Sequence, residues 1–273
     1  MINRKILFMG AGNMAEAFLR GIITNNDKMA GLITVSDIDE KRLNYIKDKY
    51  NVEAQINTKS LNFSDKDVVI IAVKPKDAHK VLGPIDGNLK PGAIIISIMA
   101  GVDIEYISTY LPKNAKIARV MPNTAAMAGE SMSVVSFSTN ITNDEKNIVF
   151  NILNSIGKSL EVIEPEMDAI TALSGSGPAY VFYLIEAMIE AGKQMGLASE
   201  TCLILAKQTV LGSIKLLSES VESPSELRKK VTSPGGTTEA AIKYLESKDF
   251  QKIFITALQE AKNRSISLRK DLY

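Results

Sequence analysis

The clearest indication of the fold class comes from residues 5–15, Lys-Ile-Leu-Phe-Met-Gly-Ala-Gly-Asn-Met-Ala. Residues 5–9 form a short apolar run, which predicts a buried strand. The run leads directly into a Gly-x-Gly-x-x-Ala motif at residues 10–15, after which apolar residues recur at helical spacing. A dinucleotide-binding fingerprint requires this position between a strand and a helix. We therefore expect Gly10 to allow a tight turn and Gly12 to let a pyrophosphate approach the backbone.

The motif alone is also compatible with a plain turn between a strand and a helix. A second apolar run, residues 32–36, follows it and ends at Asp37. In dinucleotide-binding folds an acidic residue at that place commonly bonds the ribose hydroxyls of the adenosine. The two features together predict a nucleotide site.

The pattern of residues 1–162 is typical of a doubly wound α/β domain of the Rossmann type. Short apolar runs alternate with helical patterns, and the runs are nearly continuous, as expected for parallel strands covered on both faces. Further strands are predicted at residues 68–73, 93–98 and 116–120. Residues 131–137, a helix at 142–156 and residues 159–163 are predicted to close the domain.

The alternation stops at residues 164–165, and the rest of the chain reads as helical. Interruptions are predicted at residues 173–178, at 192–196 and at the Ser-Pro-Gly-Gly-Thr-Thr turn of 233–238. We therefore expect an all-helical second domain over residues 163–273. Its segments 179–189 and 201–217 are rich in Ala, Leu, Ile and Met. A domain of this size does not easily bury so many apolar faces alone, so we expect it to form a dimer interface, with core packing alone as the alternative. We also expect this domain to bind substrate, through the turn of 233–238.

Composition narrows the class of partner. The net charge is +1, from 32 basic and 31 acidic residues among 273, with no basic block. We therefore expect a small-molecule substrate and no nucleic acid. The single cysteine, Cys202, cannot form a disulfide within the chain and fits a packing role in a cytoplasmic protein. No apolar run reads as long enough to span a bilayer, so we expect no membrane association.

The residue types that are missing limit the chemistry. The sequence has no His–Cys cluster for a metal, no Gly-Lys-Ser/Thr phosphate loop and, with His79 as its only histidine, no Ser-His-Asp triad. Hydride transfer from a nicotinamide to a polarised double bond needs mainly alignment and a hydrogen bond to the atom that gains electrons. The sequence therefore favours hydride transfer to an electrophilic substrate such as a protonated imine.

The Ser-Pro-Gly-Gly-Thr-Thr turn is the second chemically informative segment. Adjacent glycines leave the backbone bare, and the helix that follows offers unpaired N–H groups and a partial positive charge to a carboxylate or phosphate. Thr237 and Thr238 add hydroxyls beside these N–H groups. The alternative interpretation is a glycine turn followed by a threonine N-cap.

Residues 224–246, from Pro-Ser-Glu-Leu through Val-Thr-Ser-Pro-Gly-Gly-Thr-Thr to Tyr-Leu-Glu, resemble the signature of the pyrroline-5-carboxylate reductase family. Ala-Val-Lys-Pro at 72–75, Met-Pro-Asn-Thr at 121–124 and Leu-Ser-Gly-Ser-Gly-Pro-Ala-Tyr at 173–180 support it. The resemblance covers essentially the whole chain. It implies reduction of the cyclic imine 1-pyrroline-5-carboxylate to proline with NADPH or NADH. It also implies a homodimer that assembles further into a homodecamer.

The resemblance also implies which residues form the site. For the substrate they are Glu164, Ser176, Gly235, Gly236, Thr237 and Thr238, with Thr238 as the catalytic residue that bonds the imine nitrogen. For the cofactor they are Phe8, Met9, Gly10, Ala11, Gly12, Asn13, Met14, Ser36, Asp37, Asn57, Ala72, Val73, Lys74, Pro75, Met99, Ala100 and Gly101. The alternatives are an entry residue of a helix for Glu164, a turn after a strand for residues 99–101, and a glycine break before a helix for residues 174–177.

Asp37 departs from the family pattern, because many members with a neutral or basic residue there prefer NADPH. A carboxylate repels a 2′-phosphate and accepts hydrogen bonds from free ribose hydroxyls, whereas Lys41 and Arg42, one helical turn later, could offset it. Cofactor preference thus stays open at this point. Two other functions also stay open: a related dehydrogenase of a 3-hydroxy acid or another cyclic imine, and a nucleotide-sensing or scaffold protein without turnover.

Overall fold

The computed structural model of the chain describes residues 3–56, 61–85 and 87–270. Its packing divides the chain into two compact units. The first comprises Met1–Ser176 and Ala261–Tyr273, and the second comprises Gly177–Glu260. The sequence predicts a domain boundary between residues 162 and 163, whereas the compact units divide after Ser176 and after Glu260. The predicted boundary therefore stays a prediction.

The first unit contains one eight-stranded sheet in the order β3-β2-β1-β4-β5-β6-β7-β8. The strands are β1 Ile6–Met9, β2 Ile33–Asp37, β3 Glu53–Ile56, β4 Val68–Ile71, β5 Ile94–Ser97, β6 Lys116–Met121, β7 Ser131–Phe137 and β8 Gly157–Glu161. Strands β1 to β6 are parallel, β7 is antiparallel to β6, and β8 is parallel to β7. This order, which reverses direction at β1, confirms the predicted doubly wound α/β domain.

Successive side chains of each central strand alternate between two hydrophobic cores, one on each face of the sheet. Ile6 and Phe8 of β1 belong to the core on one face, and Leu7 and Met9 belong to the core on the other. All four are fully buried, as the continuous apolar run predicts for a strand covered on both sides. Strand β3 was not predicted from the sequence, because Glu53–Ile56 is an edge strand with no fully buried residue.

Helices cover both faces of this sheet. They are α1 Asn13–Asn25, α2 Glu40–Tyr50, α3 Ala78–Leu82, α4 Ile104–Ser108, α5 Asn143–Leu153 and α6 Met167–Ile170. The predicted break at residues 173–178 differs from the structure, which has a π-helical turn at Thr171–Gly175 followed by the next helix from Gly177. The N–H of Ser176 donates to the carbonyl of Thr171 at 2.9 Å, and this bond closes the wider turn.

The second unit is helical, as predicted. Its helices are α7 Gly177–Gln194, α8 Ser199–Glu219, α9 Pro224–Lys230, α10 Thr237–Ser247 and the first part of α11 Phe250–Lys270. Many large apolar side chains of this unit are exposed in the single chain, among them Phe182, Tyr183, Ile204, Leu211, Ile214 and Ile255. Cys202 is buried and lies against Gly192, which agrees with its predicted packing role.

Helix α8 corrects one expectation from the sequence. By length and composition alone, Ser199–Glu219 is long and apolar enough to cross a membrane, although the sequence was read as having no such run. Only 11% of its most apolar window is buried within the chain. The same exposed apolar surface is what an interface between subunits would cover.

The end of α11 belongs to the first unit and packs there through a buried polar cluster. The hydroxyl of Ser265 donates to Asp168 Oδ1 at 2.8 Å, and both residues are about 95% buried. Arg269 lies 3.4 Å from the other oxygen of Asp168. Asp168 lies on α6, so these contacts fasten the last turns of the chain to the segment that follows the sheet.

We expect Ser265→Ala to lower the free energy of unfolding by about 1.5–3 kcal/mol, because it removes a hydrogen bond to a buried carboxylate. Urea denaturation followed by circular dichroism measures the change. Ser267→Ala is the matched control, since the half-buried Ser267 hydroxyl bonds only Arg264 of its own helix, donating to the Arg264 carbonyl and accepting from the Arg264 guanidinium. Equal losses in the two variants would show that the buried cluster does not fasten α11.

Candidate active site

The predicted cofactor segments meet at one edge of the sheet. Strands β1, β2, β4, β5 and β6 are parallel, and their register aligns Met9 with Ser36 and Ile71, and Ile71 with Ser97. Residues 10–13, 37, 72–75 and 99–101 therefore all follow the carboxyl ends of neighbouring strands. Ligands of open α/β sheets bind at this edge, where the strand order reverses between β1 and β4.

The glycine loop after β1 has the shape that the fingerprint predicts. Gly10 adopts a φ of +107°, and a Cβ there would lie 2.6 Å from the carbonyl oxygen of Ala72. Gly12 has open space on the side where a Cβ would stand, and it is the N-cap of α1 with no side chain bonded at the cap. The first N–H groups of α1 thus face a bare, exposed loop, which suits a pyrophosphate.

Asp37 is bonded to this loop. Its Oδ2 accepts the N–H of Ala11 at 2.6 Å, while its Oδ1 accepts the N–H groups of Ile38 and Asp39. The neighbouring Ser36 has a buried hydroxyl for which the described residues supply no partner. An orphaned hydroxyl and a carboxylate beside an open glycine loop fit the adenosine ribose of a dinucleotide.

The other predicted cofactor residues divide into two groups. The side chains of Phe8, Met9 and Met99 are buried in the cores, so only their backbone is available at the edge of the sheet. Asn13 and Lys74 are exposed, and Met14, Ala72, Val73, Pro75 and Ala100 are half-buried. Asn57 lies outside the described residues. Gly101 is buried and has a φ of +74°, which favours glycine, whereas a Cβ there would be only in ordinary contact with Leu268 and Arg269 of α11.

Glu16 is a charged residue at this site that sequence reasoning missed. It lies on the first turn of α1, is 7% exposed, and accepts hydrogen bonds from four side chains of α2. The donors are Arg42, Tyr45, Lys49 and Tyr50. Burial alone would raise the pKa of Glu16, but these four bonds outweigh burial and lower the pKa to about 2. Glu16 is therefore ionised and joins α1 to α2 behind the glycine loop.

Arg119 is the second residue that the sequence reading overlooked. It stands in the middle of β6, is 1% exposed, and donates to Glu164 Oε1 at 2.7 Å. The same oxygen accepts the N–H of Ile104 at the start of α4. Glu164 thus braces the segment that leads out of residues 99–101. The only sequence signal was an arginine inside an apolar strand, since a buried cation requires a partner.

This pair keeps unused hydrogen-bonding capacity. Two nitrogens of Arg119 and Oε2 of Glu164 are buried without a partner among the described residues. Glu164 is therefore more than an entry residue of a helix, the alternative stated for it from the sequence. Its first oxygen is occupied by the protein, and its second oxygen is the atom left for a ligand or a water.

The π-helical turn at Thr171–Gly175 lies close to β6 within the first unit. A Cβ on Gly175 would lie 3.0 Å from the sulfur of Met121, so a larger residue requires the methionine to move. The amide of Asn123, two residues after β6, donates to the carbonyl of Ser174 at 3.3 Å. These contacts place Ser176, a predicted substrate residue, directly after a turn of a kind often found at functional sites.

The Gly-Gly-Thr-Thr turn belongs to the second unit. Gly235 has a φ of +74°, which favours glycine, and a Cβ on Gly236 would lie 2.5 Å from the Ser233 hydroxyl, which would have to move. Gly236 is the N-cap of α10 and no side chain caps this helix, which rules out the alternative of a threonine N-cap. Thr237 and Thr238 are the first two helical residues, and no described residue bonds the Thr238 hydroxyl.

Glu239 changes the electrostatics of this turn. Its carboxylate accepts the N–H of Gly235 at 2.8 Å and lies 3.1 Å from the Lys243 ammonium. These two bonds lower the pKa of Glu239. The N–H of Gly236 donates to the carbonyl of Ser233. The N–H groups left for an anionic ligand are therefore those of the first helical turn, beginning at Thr237.

The predicted substrate residues thus fall into two groups, Glu164 and Ser176 in the first unit and residues 235–238 in the second. Glu164 lies just before α6, and Ser176 lies just after the π-helical turn that follows α6. Residues 235–238 form one continuous turn and helix start. Among residues 3–56, 61–85 and 87–270, no group of three or more His, Cys, Asp or Glu side chains forms a candidate metal site.

Comparison with protein families gives two matches. Residues 164–268 match the family described as pyrroline-5-carboxylate reductase dimerisation. Residues 5–101 match the family described as NADP oxidoreductase, coenzyme F420-dependent. The first match covers the helical region, and the second covers the edge of the sheet that was assigned to the dinucleotide.

Full-length relatives agree with the first match. The chain is 37% identical to pyrroline-5-carboxylate reductase 2 of Bacillus subtilis, over 98% of this chain and 96% of the relative. It is 36% identical to pyrroline-5-carboxylate reductase of Staphylococcus epidermidis, over 97% of each chain.

Two solved structures are similar over nearly the full length. One is a pyrroline-5-carboxylate reductase from Coxiella burnetii, with a TM-score of 0.91, 36% identity, and coverage of 98% of this chain and 99% of that chain. The other is the Plasmodium falciparum pyrroline carboxylate reductase with NADP bound, with a TM-score of 0.88, 31% identity and the same coverage.

We expect Glu164→Ala to lower the free energy of unfolding by about 3 kcal/mol, because it leaves the Arg119 guanidinium buried and unpaired. Glu161→Ala is the matched control. Glu161 pairs with Lys146 near the surface, so its loss should cost less than about 1 kcal/mol. Urea denaturation measures both variants. A similar, small loss in the two would show that the Arg119–Glu164 pair has no structural role.

Proposed function

The chain belongs to the pyrroline-5-carboxylate reductase family, and on that premise we propose that it reduces 1-pyrroline-5-carboxylate to L-proline with NADPH or NADH. The observation that supports this most directly is the combination of an open glycine loop after β1 with an uncapped Gly-Gly-Thr-Thr helix start, in a chain that aligns with such reductases end to end.

The residues at the edge of the sheet suit a dinucleotide. Gly10, Ala11 and Gly12 would hold the pyrophosphate, and Ser36 and Asp37 would hold the adenosine ribose. Residues 72–75 and 99–101 would follow the path toward the nicotinamide. When bound, the reduced nicotinamide supplies a hydride. The chain's own residues bind and orient the two reactants and exclude water.

The proposed reaction needs one hydride and one proton. The imine carbon would accept the hydride, the π electrons of the C=N bond would move to the ring nitrogen, and the proton already on that nitrogen would stay there, giving the secondary amine of proline. The Thr238 hydroxyl, which is free of bonds to the described residues, would bond the ring nitrogen during this change. The N–H groups of the first turn of α10, including that of Thr237, would bind the substrate carboxylate.

Glu164 and Ser176 are the residues of the first unit that we propose to bind substrate. Glu164 Oε2 is buried without a partner among the described residues, so it is the carboxylate oxygen that can accept from a protonated nitrogen. Arg119 holds the other oxygen and keeps the side chain in one orientation. Ser176 would contribute a hydroxyl after the π-helical turn.

The helical region would hold two copies of the chain together. Its match to a dimerisation family and its many exposed apolar side chains support a homo-oligomer. We propose a homodimer as the basic assembly, further association into a homodecamer, and a cytoplasmic location.

The nucleotide-sensing alternative makes a different prediction, which a simple assay separates. The purified chain should oxidise NADPH or NADH only when 1-pyrroline-5-carboxylate is present, and proline should accumulate in equal amount. Absorbance of the reduced cofactor and amino-acid analysis measure the two quantities. Cofactor binding without oxidation would favour the sensor, and oxidation with a different cyclic imine or with a keto acid alone would favour the related dehydrogenases.

We expect Thr238→Ala to lower kcat/KM for 1-pyrroline-5-carboxylate by roughly 10- to 150-fold, the equivalent of about 1.5–3 kcal/mol for a lost hydrogen bond to a charged group. Thr238→Ser, which keeps the hydroxyl, should lose much less. Thr232→Ala is the control, since the Thr232 hydroxyl donates to the carbonyl of Arg228 in the preceding helix α9. Steady-state kinetics provide the values. Identical losses for Thr238→Ala and Thr238→Ser would contradict the role of the hydroxyl.

We expect NADH to be used appreciably, and Asp37→Asn to shift the ratio of kcat/KM toward NADPH, chiefly through the KM for NADPH. The reason is that the carboxylate repels a 2′-phosphate, while asparagine retains an oxygen for the N–H of Ala11. Asp39→Asn is the matched control, because it removes a charge two residues away and keeps a good N-cap for α2. If both variants shift the ratio equally, Asp37 acts only as a distant charge.

A further inference from the structure

We propose that Glu16 determines how well this chain accepts a 2′-phosphorylated dinucleotide, because it holds the Arg42 guanidinium in an ion pair on the side of α1. Glu16 is thus a specificity-determining residue that acts through Arg42. The inference rests on the proposed dinucleotide site and extends it to a residue to which neither the sequence pattern nor the family resemblance gives a role.

Arg42 lies against the glycine loop. Its Nε donates to the carbonyl of Ala11 at 2.6 Å, while Asp37 accepts the N–H of the same residue, also at 2.6 Å. The backbone carbonyl of Ala11 is therefore bonded by a cation, and its backbone N–H is bonded by a carboxylate. Asp37 is the residue that we propose for the adenosine ribose, and Arg42 bonds the same loop residue as Asp37, so Arg42 is a cation on the adenosine side of the loop.

Arg42 is not free to serve that phosphate. One of its terminal nitrogens forms an ion pair with Glu16 Oε2, and its guanidinium lies 4.9 Å from the centre of the Tyr45 ring. The other oxygen of Glu16 is held by Lys49 at 2.9 Å and by Tyr50 at 2.9 Å. Glu16 itself is 7% exposed, whereas 25% of the Arg42 side chain is exposed, so water and salt reach only the arginine end of the pair.

The consequence is a balance of charge at the adenosine end. Asp37 contributes a negative charge that faces the loop, and Glu16 holds the Arg42 guanidinium toward α1, although the same carboxylate also pairs with Lys49. Lys41 is exposed and is the other nearby cation on the first turn of α2. A 2′-phosphate brings further negative charge and therefore meets little compensation. Removing the charge of Glu16 should release that of Arg42 toward the ligand.

The test uses Glu16→Gln in the full-length chain and measures binding of two fragments that lack nicotinamide, ADP-ribose and 2′-phospho-ADP-ribose, by isothermal titration calorimetry. We expect the ratio of the two dissociation constants to shift toward the phosphorylated fragment by about tenfold, the scale of one charge-assisted contact. The double variant Glu16→Gln, Arg42→Gln should cancel the shift. An unchanged ratio, or a shift toward ADP-ribose, would overturn the proposal.

Glu145→Gln is the matched control. Glu145 lies on α5, away from the glycine loop, and is a partly buried carboxylate paired with Lys116 of β6. It should leave the ratio as it is in the wild type. Thermal melting verifies that each variant is folded. If Glu16→Gln fails to fold, Arg42→Gln alone decides: the proposal expects a change below about twofold, whereas an arginine that already serves the phosphate would lose about tenfold in affinity for the phosphorylated fragment.

These measurements separate the two levels of inference. Fragment binding does not depend on 1-pyrroline-5-carboxylate, so a protein that makes no proline still yields the ratio. Failure of both fragments to bind would instead overturn the dinucleotide site itself.

Discussion

The close approach between Gly10 and the carbonyl of Ala72 is the constraint on which the first unit depends. The chain must turn at once after β1, and its neighbours leave no space for a side chain there. The N–H of Gly10 donates to Ser36 at 2.7 Å, and the N–H of Ala72 donates to Met9 at 2.8 Å. The glycine loop is thus fixed to the strands on both sides. Because it cannot move outward, Gly12 remains bare and the start of α1 remains exposed.

The same loop is stabilised from behind by charge. Asp37 and Arg42 bond the two polar groups of Ala11, and Glu16 joins Arg42 to α1. The backbone geometry of the glycine loop therefore determines the shape of the exposed surface of the site. The ion pairs behind the loop determine the electrostatic potential at that surface. The Arg119–Glu164 pair does comparable work further along the sheet, where it holds the start of α4.

Sequence reasoning predicted the sheet and its edge because parallel strands buried on both faces read as unbroken apolar runs, and residues that follow such runs must share one edge. It did not predict β3, which is an exposed edge strand. It also did not identify Arg119 or Glu16 as site residues. Their partners are 45 and 26 positions away, and no local pattern indicates which acid meets which base. The π-helical turn escaped for a similar reason, since Ser-Gly-Ser-Gly reads as a break.

The exposed apolar faces of α7, α8 and α11 have a consequence for how the protein exists in a cell. Side chains such as Phe182 and Ile204 are 59% exposed in the single chain, and a dimerisation region implies that another copy covers faces of this kind. Because association of this sort stabilises the folded state, the free energy of unfolding depends on protein concentration and falls on dilution. The half-life of a newly made chain then depends on how soon it meets a second one, and the rate of synthesis becomes a determinant of stability.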